Sequence, residues 1–493
     1  MAGLQCLKRL YLDVHHRHLA DPVDPSQQAV FDIGHVVGEL ARQRFPGGNL
    51  IEEKYFEQLR AERSTQALLS DASVPALYEA AFSFEGIRTR VDILARAEGG
   101  TAFDLIEVKS STRFKEREHL PDVSIQLHVV EGAGVPVRHV HLMHIDTGYV
   151  YQGGDHDLER LFHLEDVTDV ARDYLADVAP ESLAGMWNVL RGADTPDIET
   201  GRHCKSPYRC PFFGHCHADD PEHPITELPR LSQGDEERLK DLGIRDVGSI
   251  PPDTDGLTGL QRRVRDSVVS GTAYVDPNLA TRLSQIKFPM SFLDFETIMP
   301  AIPLFEGTRP YQLIPFQWSL HVRGADGSLT HRQYLHGHGD SEDPREGLIM
   351  SLLEAVPATG SIVAYSGYEA RVLRQLAGEF PEYQAPLLDL IERLVDLHQI
   401  VRDTYYSPGF HGSFSIKSVA PVLVPDLAYD DLDIADGLAA SAAYAHLLTG
   451  DLPPPDVARI RESLLTYCAR DTEAMVSAYE ALVRESGGAA IES

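Results

Sequence analysis

The chain has 493 residues, 43% of them apolar and 24% charged, an ordinary composition for a folded protein and enough for roughly two to four domains with substantial cores. Its net charge of -31 counts against nonspecific affinity for nucleic acid, but leaves room for a nuclease, whose metal sites need clustered acids and whose basic groove can be local. No apolar run is long enough to span a bilayer and no secretory signal pattern is present, so the expected location is cytoplasmic, and five cysteines in a chain of this size do not suggest a disulfide scaffold.

Residues 4–12 read as a short helix that carries Cys6. A second helix is expected over 29–44, with apolar residues at helical spacing. His35 inside it is a metal-ligand candidate, although a lone helical histidine is more often structural. From Glu79 the period changes. Residues 80–84, 87–94 and 103–109 read as strands, with turns at Glu85-Gly86 and Glu98-Gly99-Gly100. Glu107 and Lys109 share one face of the third strand, and Asp92 lies across a hairpin from them. Two such carboxylates can hold a divalent metal that polarises a phosphate and activates water, while a lysine orients the nucleophile and stabilises developing charge. A plain hairpin with exposed charges is the competing reading. The set Asp92 and Glu107-Val108-Lys109 resembles the D…E-x-K signature of the PD-(D/E)XK nuclease superfamily. Gln126 follows at the distance of the Q-x-x-x-Y element of RecB-like members, with Val130 where they carry Tyr, and the resemblance implies a nucleic-acid contact for Gln126.

Cys204, Cys210 and Cys216 lie in a short loop rich in Pro, Gly and aromatic residues, far from Cys6. Four thiolates can ligate a 4Fe-4S cluster or a zinc ion. Tight zinc knuckles favour C-x-x-C pairs, which this loop lacks, while His203, His215 and His217 are substitute ligands that a zinc site would use. The arrangement resembles RecB-like and CRISPR-associated iron-staple nucleases, in which one cysteine before the nuclease core and three after it clamp the domain shut; the resemblance implies a structural 4Fe-4S cluster, with zinc as the alternative. Their usual C-x2-C step is absent here. Cys468 falls in a helix elsewhere and reads as a small buried apolar residue.

Residues 219–287 read as a polar connector with short amphipathic helices over 236–242 and 257–269. Leu242-Gly243-Ile244, with Val247 and Ile250, resembles part of a helix-hairpin-helix, which can hold a nucleic-acid backbone through amides at a glycine turn; a spacer is at least as good a reading.

The stretch Phe292-Leu293-Asp294-Phe295-Glu296-Thr297 reads as a strand with Asp294 and Glu296 side by side on one face. Burying two like charges is costly unless a cation sits between them, and Mg²⁺ or Mn²⁺ with oxygen ligands is the natural resolution. An edge strand with two solvated acids is the competing reading. Further strands are expected over 316–322, 330–335 and 361–365. A helix is expected over 343–356, with Asp343 as N-cap and Pro344 in its first turn. Ser366-Gly367 turns into a helix that carries Glu369, a third candidate ligand. Residues 464–472 read as helical, which puts Tyr467 and Asp471 on one face. Residues 412–418 lead into a helix and could place amides and Lys417 near a phosphate, or simply form an N-cap.

Leu293-Asp294-Phe295-Glu296-Thr297, Tyr368-Glu369 and Tyr467-x-x-x-Asp471 resemble, in that order, the three motifs of the tyrosine-bearing DEDD exonucleases, a DnaQ-like branch of the RNase H-like group. The second motif normally ends in Asp, so either Glu369 replaces it or Asp396 supplies the ligand, although Asp396 also suits a helix cap. The resemblance implies two metals held by four carboxylates, a water-orienting Tyr467 and removal of nucleotides from a 3′ end.

The fold class expected is α/β, with a PD-(D/E)XK restriction-endonuclease-like domain over 1–218, a helical connector over 219–287 and an RNase H-like mixed-sheet exonuclease domain over 288–493. The whole resembles bacterial proteins that join an iron–sulfur RecB-like module to a DnaQ-like module. It implies a metal-dependent nuclease acting on DNA, in repair or phage defence, with nucleic acid and a protein of such a system as partners and no membrane association. The rivals are an RNA 3′-5′ exonuclease whose first module only binds nucleic acid or a partner protein, and a scaffold whose carboxylates bind no metal.

Overall fold

In the computed structural model, which describes residues 1–99, 101–337, 342–425, 427, 429, 432–448 and 452–487, the chain is α/β with mixed sheets. Gly100, the last residue of an expected turn, lies outside the described residues. The chain divides into two units: residues 1–218 with 300–312, and residues 219–299 with 313–493.

Unit 1 is built on a six-stranded sheet in sequential order. Its strands are β1 (Asn49–Leu50), β2 (Ala76–Phe84), β3 (Ile87–Arg96), β4 (Phe103–Lys109), β5 (Val137–Ile145) and β6 (Phe162–Asp166). β2, β3 and β4 form an antiparallel meander, whereas β4 and β5 are parallel. A parallel pair needs a crossover, and the helix Glu116–Gly132 supplies it. Alternation along each strand gives two apolar faces. Leu77, Leu94, Leu105 and Leu142 pack beneath the crossover helix through Val123, Leu127 and Val130, while Tyr78, Ile93, Ile106 and Met143 pack with Val37 and Ala41 of the helix Pro25–Arg42. That helix starts four residues earlier than expected, because Asp24 caps it by accepting from the Gln27 amide and Pro25 fits its first turn. The helix expected over 4–12 is broken. Ala2–Gln5 and Leu7–His15 are separate, with Cys6 extended between them. Tertiary bonds outweigh local propensity here: the Gln5 amide donates to the carbonyls of His203 and Tyr208, at 2.7 and 2.8 Å. Residues 300–312 belong to this unit through buried Ala301 and Phe305 and through backbone bonds between Tyr151 and both Gly307 and Thr308.

Unit 2 holds a five-stranded sheet. Its strands are β8 (Met290–Ile298), β9 (Ile314–Arg323), β10 (Leu329–Leu335), β11 (Ile362–Ala364) and β12 (Leu394–Asp396), in spatial order β10-β9-β8-β11-β12. Only β9 is antiparallel to its sheet neighbours on both sides, so it alone runs against the other four. The short β7 (Tyr274–Val275) pairs with β13 (Tyr405–Tyr406) apart from this sheet. Leu293 and Phe295 face a cluster with Leu348, Leu352, Val372 and Leu376 from the helices Pro344–Ala355 and Tyr368–Glu379. Met290 and Phe292 face the opposite way, toward Met475 and Tyr479 of the long helix Pro454–Glu485. Asp294 and Glu296 continue that second face.

The segment 219–287 is not a free-standing connector. Ile225, Leu228, Leu239, Val247, Val264 and Leu279 share one core with Leu397, Val401, Tyr406 and Phe410. Nor does the turn at Gly243 open a helical hairpin. The helix Gln233–Asp241 ends there, a single 3-10 turn follows at Val247–Ser249, and the next α-helix starts only at Gly259. No helix among the described residues is long and apolar enough to cross a membrane.

Candidate metal centres

In unit 2 the elements converge on four carboxylates. β8 presents Asp294 and Glu296. The long helix is fastened to β9 by Gln317, which donates to the Leu464 carbonyl at 2.8 Å, and by Thr472, whose hydroxyl meets Ser319 at 2.7 Å and His321 at 2.8 Å. This seam turns Tyr467, Cys468 and Asp471 toward β8. Glu369 enters from the first turn of its helix, just after Ser366, whose φ of +136° is a strained backbone value that swings the chain out of β11. Glu369 lies against Asp294, and its Oε2 is buried without a hydrogen-bond partner. Ligand atoms of Asp294, Glu296 and Cys468 all lie within 4.8 Å of one another, and the Cys468 thiol is 3.6 Å from Asp294 Oδ2.

Burial, and after it the charges of Asp471, Glu296 and Glu369, push Asp294 well above the usual carboxylate range. Burial and Asp471 do the same to Glu296. Burial raises Glu369 to about 7, with Asp396 adding to it, and burial raises Asp471 against the opposing Tyr429 hydroxyl. Two unit charges at such separations repel by roughly 3–4 kcal/mol at an effective dielectric of about 20. Four of them in one buried pocket call for a cation. The Lys417 charge opposes the rise of Glu296 and Asp471, but its Nζ donates to the Tyr467 hydroxyl at 2.8 Å and to the Ala435 carbonyl at 2.7 Å. The expectation that Lys417 serves a phosphate from a helix start gives way to a hold on Tyr467. Asp396 is a helix cap, accepting from the Gln399 amide at 3.0 Å, so Glu369 takes the place next to Asp294. Cys468 is buried as expected, but it lines this pocket instead of lying elsewhere. Tyr429, which donates to Asp471 Oδ1 at 2.7 Å, stands in none of the motifs that the sequence offered.

In unit 1, Asp92, Glu107 and Lys109 come together as the hairpin requires. Asp92 accepts from the Val108 amide at 2.7 Å. Lys109 Nζ bridges Glu107 at 2.5 Å and Asp122 at 2.9 Å. Asp122 was not anticipated; it sits one helical turn before Gln126, a spacing that could have found it. Gln126 is buried and donates to Glu107 Oε2 at 2.7 Å, with its own Oε1 buried and unpartnered. It faces the sheet, so it holds a carboxylate instead of reaching for nucleic acid. Burial raises Asp92 to about 6, and burial and the charge of Asp92 push Glu107 well above the usual carboxylate range. Burial works against the Lys109 charge, but Glu107 and Asp122 outweigh it and keep the lysine protonated. Opposite Asp92, Glu79 holds a left-handed φ of +55° in mid-strand, worth about 1–3 kcal/mol of strain, and pairs with Arg42 at 2.7 Å.

The four cysteines line one closed pocket with His203 and Arg9, and all are free thiols. The chain is stitched here by the Gln5 bonds, by Asp21 accepting from the Gly214 amide at 2.9 Å, and by Arg9 over the Tyr208 ring. Burial raises the Cys210 and Cys216 thiols, with neighbouring cysteines adding to it. His215 is exposed and His217 stacks on Phe213, so His203 is the histidine that lines the pocket. His35 is exposed on its helix and belongs to none of these groups.

A family model described as a domain of unknown function, DUF2779, matches residues 291–415. The match takes in Asp294, Glu296, Glu369 and Asp396 and ends before Tyr467 and Asp471. No curated protein and no solved structure matches the chain.

Proposed function

We propose that the chain is a metal-dependent nuclease acting on DNA, with a 3′-5′ exonuclease site in unit 2, a PD-(D/E)XK-like site in unit 1 and a thiolate-held cluster as a structural staple. The observation that carries this reading is the buried Asp294–Glu296–Glu369–Asp471 pocket, with an orphaned Glu369 oxygen and its nearby lysine, Lys417, donating to Tyr467. Its oxygen donors fit Mg²⁺ or Mn²⁺, and the Cys468 thiol favours the softer Mn²⁺. The sheet order, with the second strand reversed, agrees with an RNase H-like domain, and the meander joined through a crossover helix to a parallel strand agrees with a restriction-endonuclease-like domain.

Bound divalent cations supply charge stabilisation for the phosphate and an acidified water. The protein groups do the rest. Tyr467 is raised by burial and by the carboxylates around it, so it stays a neutral phenol. Lys417 donates to its oxygen and its own proton is directed at Asp471, so the phenol is held at the edge of the carboxylate pocket, where it suits orienting a water and, staying protonated, is no base. Glu369, raised to about 7, and Asp471, raised by burial, would hold a bound cation once deprotonated. In unit 1, Lys109 holds positive charge beside Glu107, where charge develops on a phosphate.

For the staple, thiolate chemistry fits both cluster and zinc.

The test uses anaerobically purified protein, Mn²⁺ and a 5′-labelled single strand, as DNA and as RNA. We expect a ladder that shortens from the 3′ end and vanishes in Asp294→Ala, and internal cuts that vanish in Lys109→Ala. Shortening of RNA alone would move the substrate to RNA. Persistence of the ladder in Asp294→Ala, or no cleavage of either polymer, would overturn the proposal.

A further inference from the structure

Unit 2 gathers a second set of ligating side chains away from its carboxylate pocket. His223 precedes the 3-10 turn Ile225–Glu227, and His411 ends the 3-10 turn Pro408–Phe410. Nδ1 of His223 lies 3.1 Å from Glu227 Oε2, and Nδ1 of His411 lies 3.0 Å from Glu227 Oε1. The two imidazole rings stack with centroids 5.0 Å apart. The side chains of His223 and Glu227 are 14% and 12% exposed and that of His411 is 52% exposed, so the group has a closed floor and an open mouth.

The backbone is bent to bring these groups together. His411 holds a left-handed φ of +48°, which disfavours any residue with a Cβ by roughly 1–2 kcal/mol. Gly412 follows at +73°, and a Cβ there would lie 1.9 Å from the Glu227 carbonyl oxygen. The loop is thus pressed onto the Glu227 turn at a point only glycine allows, and a strained residue aims its imidazole at the carboxylate.

We infer that His223, Glu227 and His411 form a binding site for a zinc-class transition-metal ion, distinct from the carboxylate pockets and the cysteines. Two imidazoles, one carboxylate and an open fourth side form a donor set that zinc uses. Tetrahedral bonds of about 2.0–2.1 Å put ligand atoms about 3.3 Å apart, close to the separations here. Mg²⁺ is a poor match, because a single carboxylate cannot meet its demand for oxygen donors. The ion would pin the loop that leads into the helix Ile416–Leu423, and that helix carries Lys417 to Tyr467. The site rests on its own geometry and stands whether or not the carboxylate pocket is a nuclease.

The full-length protein is equilibrated with zinc in excess Mg²⁺, and bound zinc per chain is measured for wild type, Glu227→Gln and His411→Asn. Asn tolerates the left-handed backbone, so His411→Asn removes the imidazole and leaves the turn intact. We expect each variant to hold one zinc fewer than wild type. Added zinc should raise the melting temperature of wild type but of neither variant beyond any shift due to the other sites. Co²⁺ at this site should add d–d bands without thiolate charge-transfer intensity, which separates it from the cysteines. Equal zinc content and equal zinc response in all three proteins would overturn the inference and leave two histidines that only hydrogen-bond to Glu227. A variant that melts lower yet keeps the wild-type zinc count would overturn it equally.

Discussion

The two carboxylate pockets meet the same problem with opposite means. Each places ionisable residues two positions apart on a strand, Glu107 and Lys109 on β4 and Asp294 and Glu296 on β8. In unit 1 the second position is a lysine, which bridges Glu107 and Asp122 and neutralises much of the pocket from within. In unit 2 the second position is another acid, and the nearby lysine is spent on Tyr467. A buried acid with a built-in cation is a structural pair first. A buried acid cluster without one is poised to take up metal.

Substitutions can break this contrast. The largest effect is expected in Lys109→Met, which strands Glu107 and Asp122 without their cation and should destabilise unit 1 by about 3–5 kcal/mol in urea unfolding. Asp294→Asn should act the other way on stability. It relieves repulsion, so the metal-free protein should melt no lower than wild type, while strand shortening falls by about 10²–10³-fold. A lower melting temperature for Asp294→Asn would mean that the acids are held by bonds and not by a need for metal.

A third effect follows from the raised carboxylates. Glu369 sits at about 7 when folded and near the ordinary glutamate value when unfolded, and Asp92 sits at about 6 against an ordinary aspartate. The folded state therefore holds more protons than the unfolded state between the two values of each group. Stability is full below the unfolded values and is lost as pH rises through the folded ones. Metal-free protein should lose about 4 kcal/mol between pH 5 and pH 7.5, and Mn²⁺ should remove most of that slope. Melting curves across pH, with and without Mn²⁺, give the answer. The smallest effect is expected in Lys417→Met. It frees Tyr467 and should lower the rate about tenfold while leaving Mn²⁺ affinity unchanged, as a group acting through another does.

The strand pairs were legible because a period of two is short and both members of each pair are charged. Asp343 as a cap and Pro344 in the first turn of a helix were equally plain. What the sequence hid has identifiable causes. Cys6 breaks a helix because Gln5 bonds a loop some 200 residues away, which no local pattern announces. Residues 219–287 look polar, yet their scattered Ile, Leu and Val side chains build a core, since short helices and 3-10 turns erase regular spacing. Cys468, next to Tyr467 in the helix, reaches Asp294, and a thiol gives no sign of a carboxylate pocket. His223, Glu227 and His411 meet only through the fold.

The contrast between the pockets is tested most directly by calorimetric titration of the intact protein with Mn²⁺, compared with Asp294→Asn and Lys109→Met. We expect strong uptake with proton release in wild type and in Lys109→Met, and loss of the unit 2 share of that uptake in Asp294→Asn. Absence of Mn²⁺ uptake by wild type, or uptake unchanged in Asp294→Asn, would contradict the assignment of the unit 2 pocket as a metal centre.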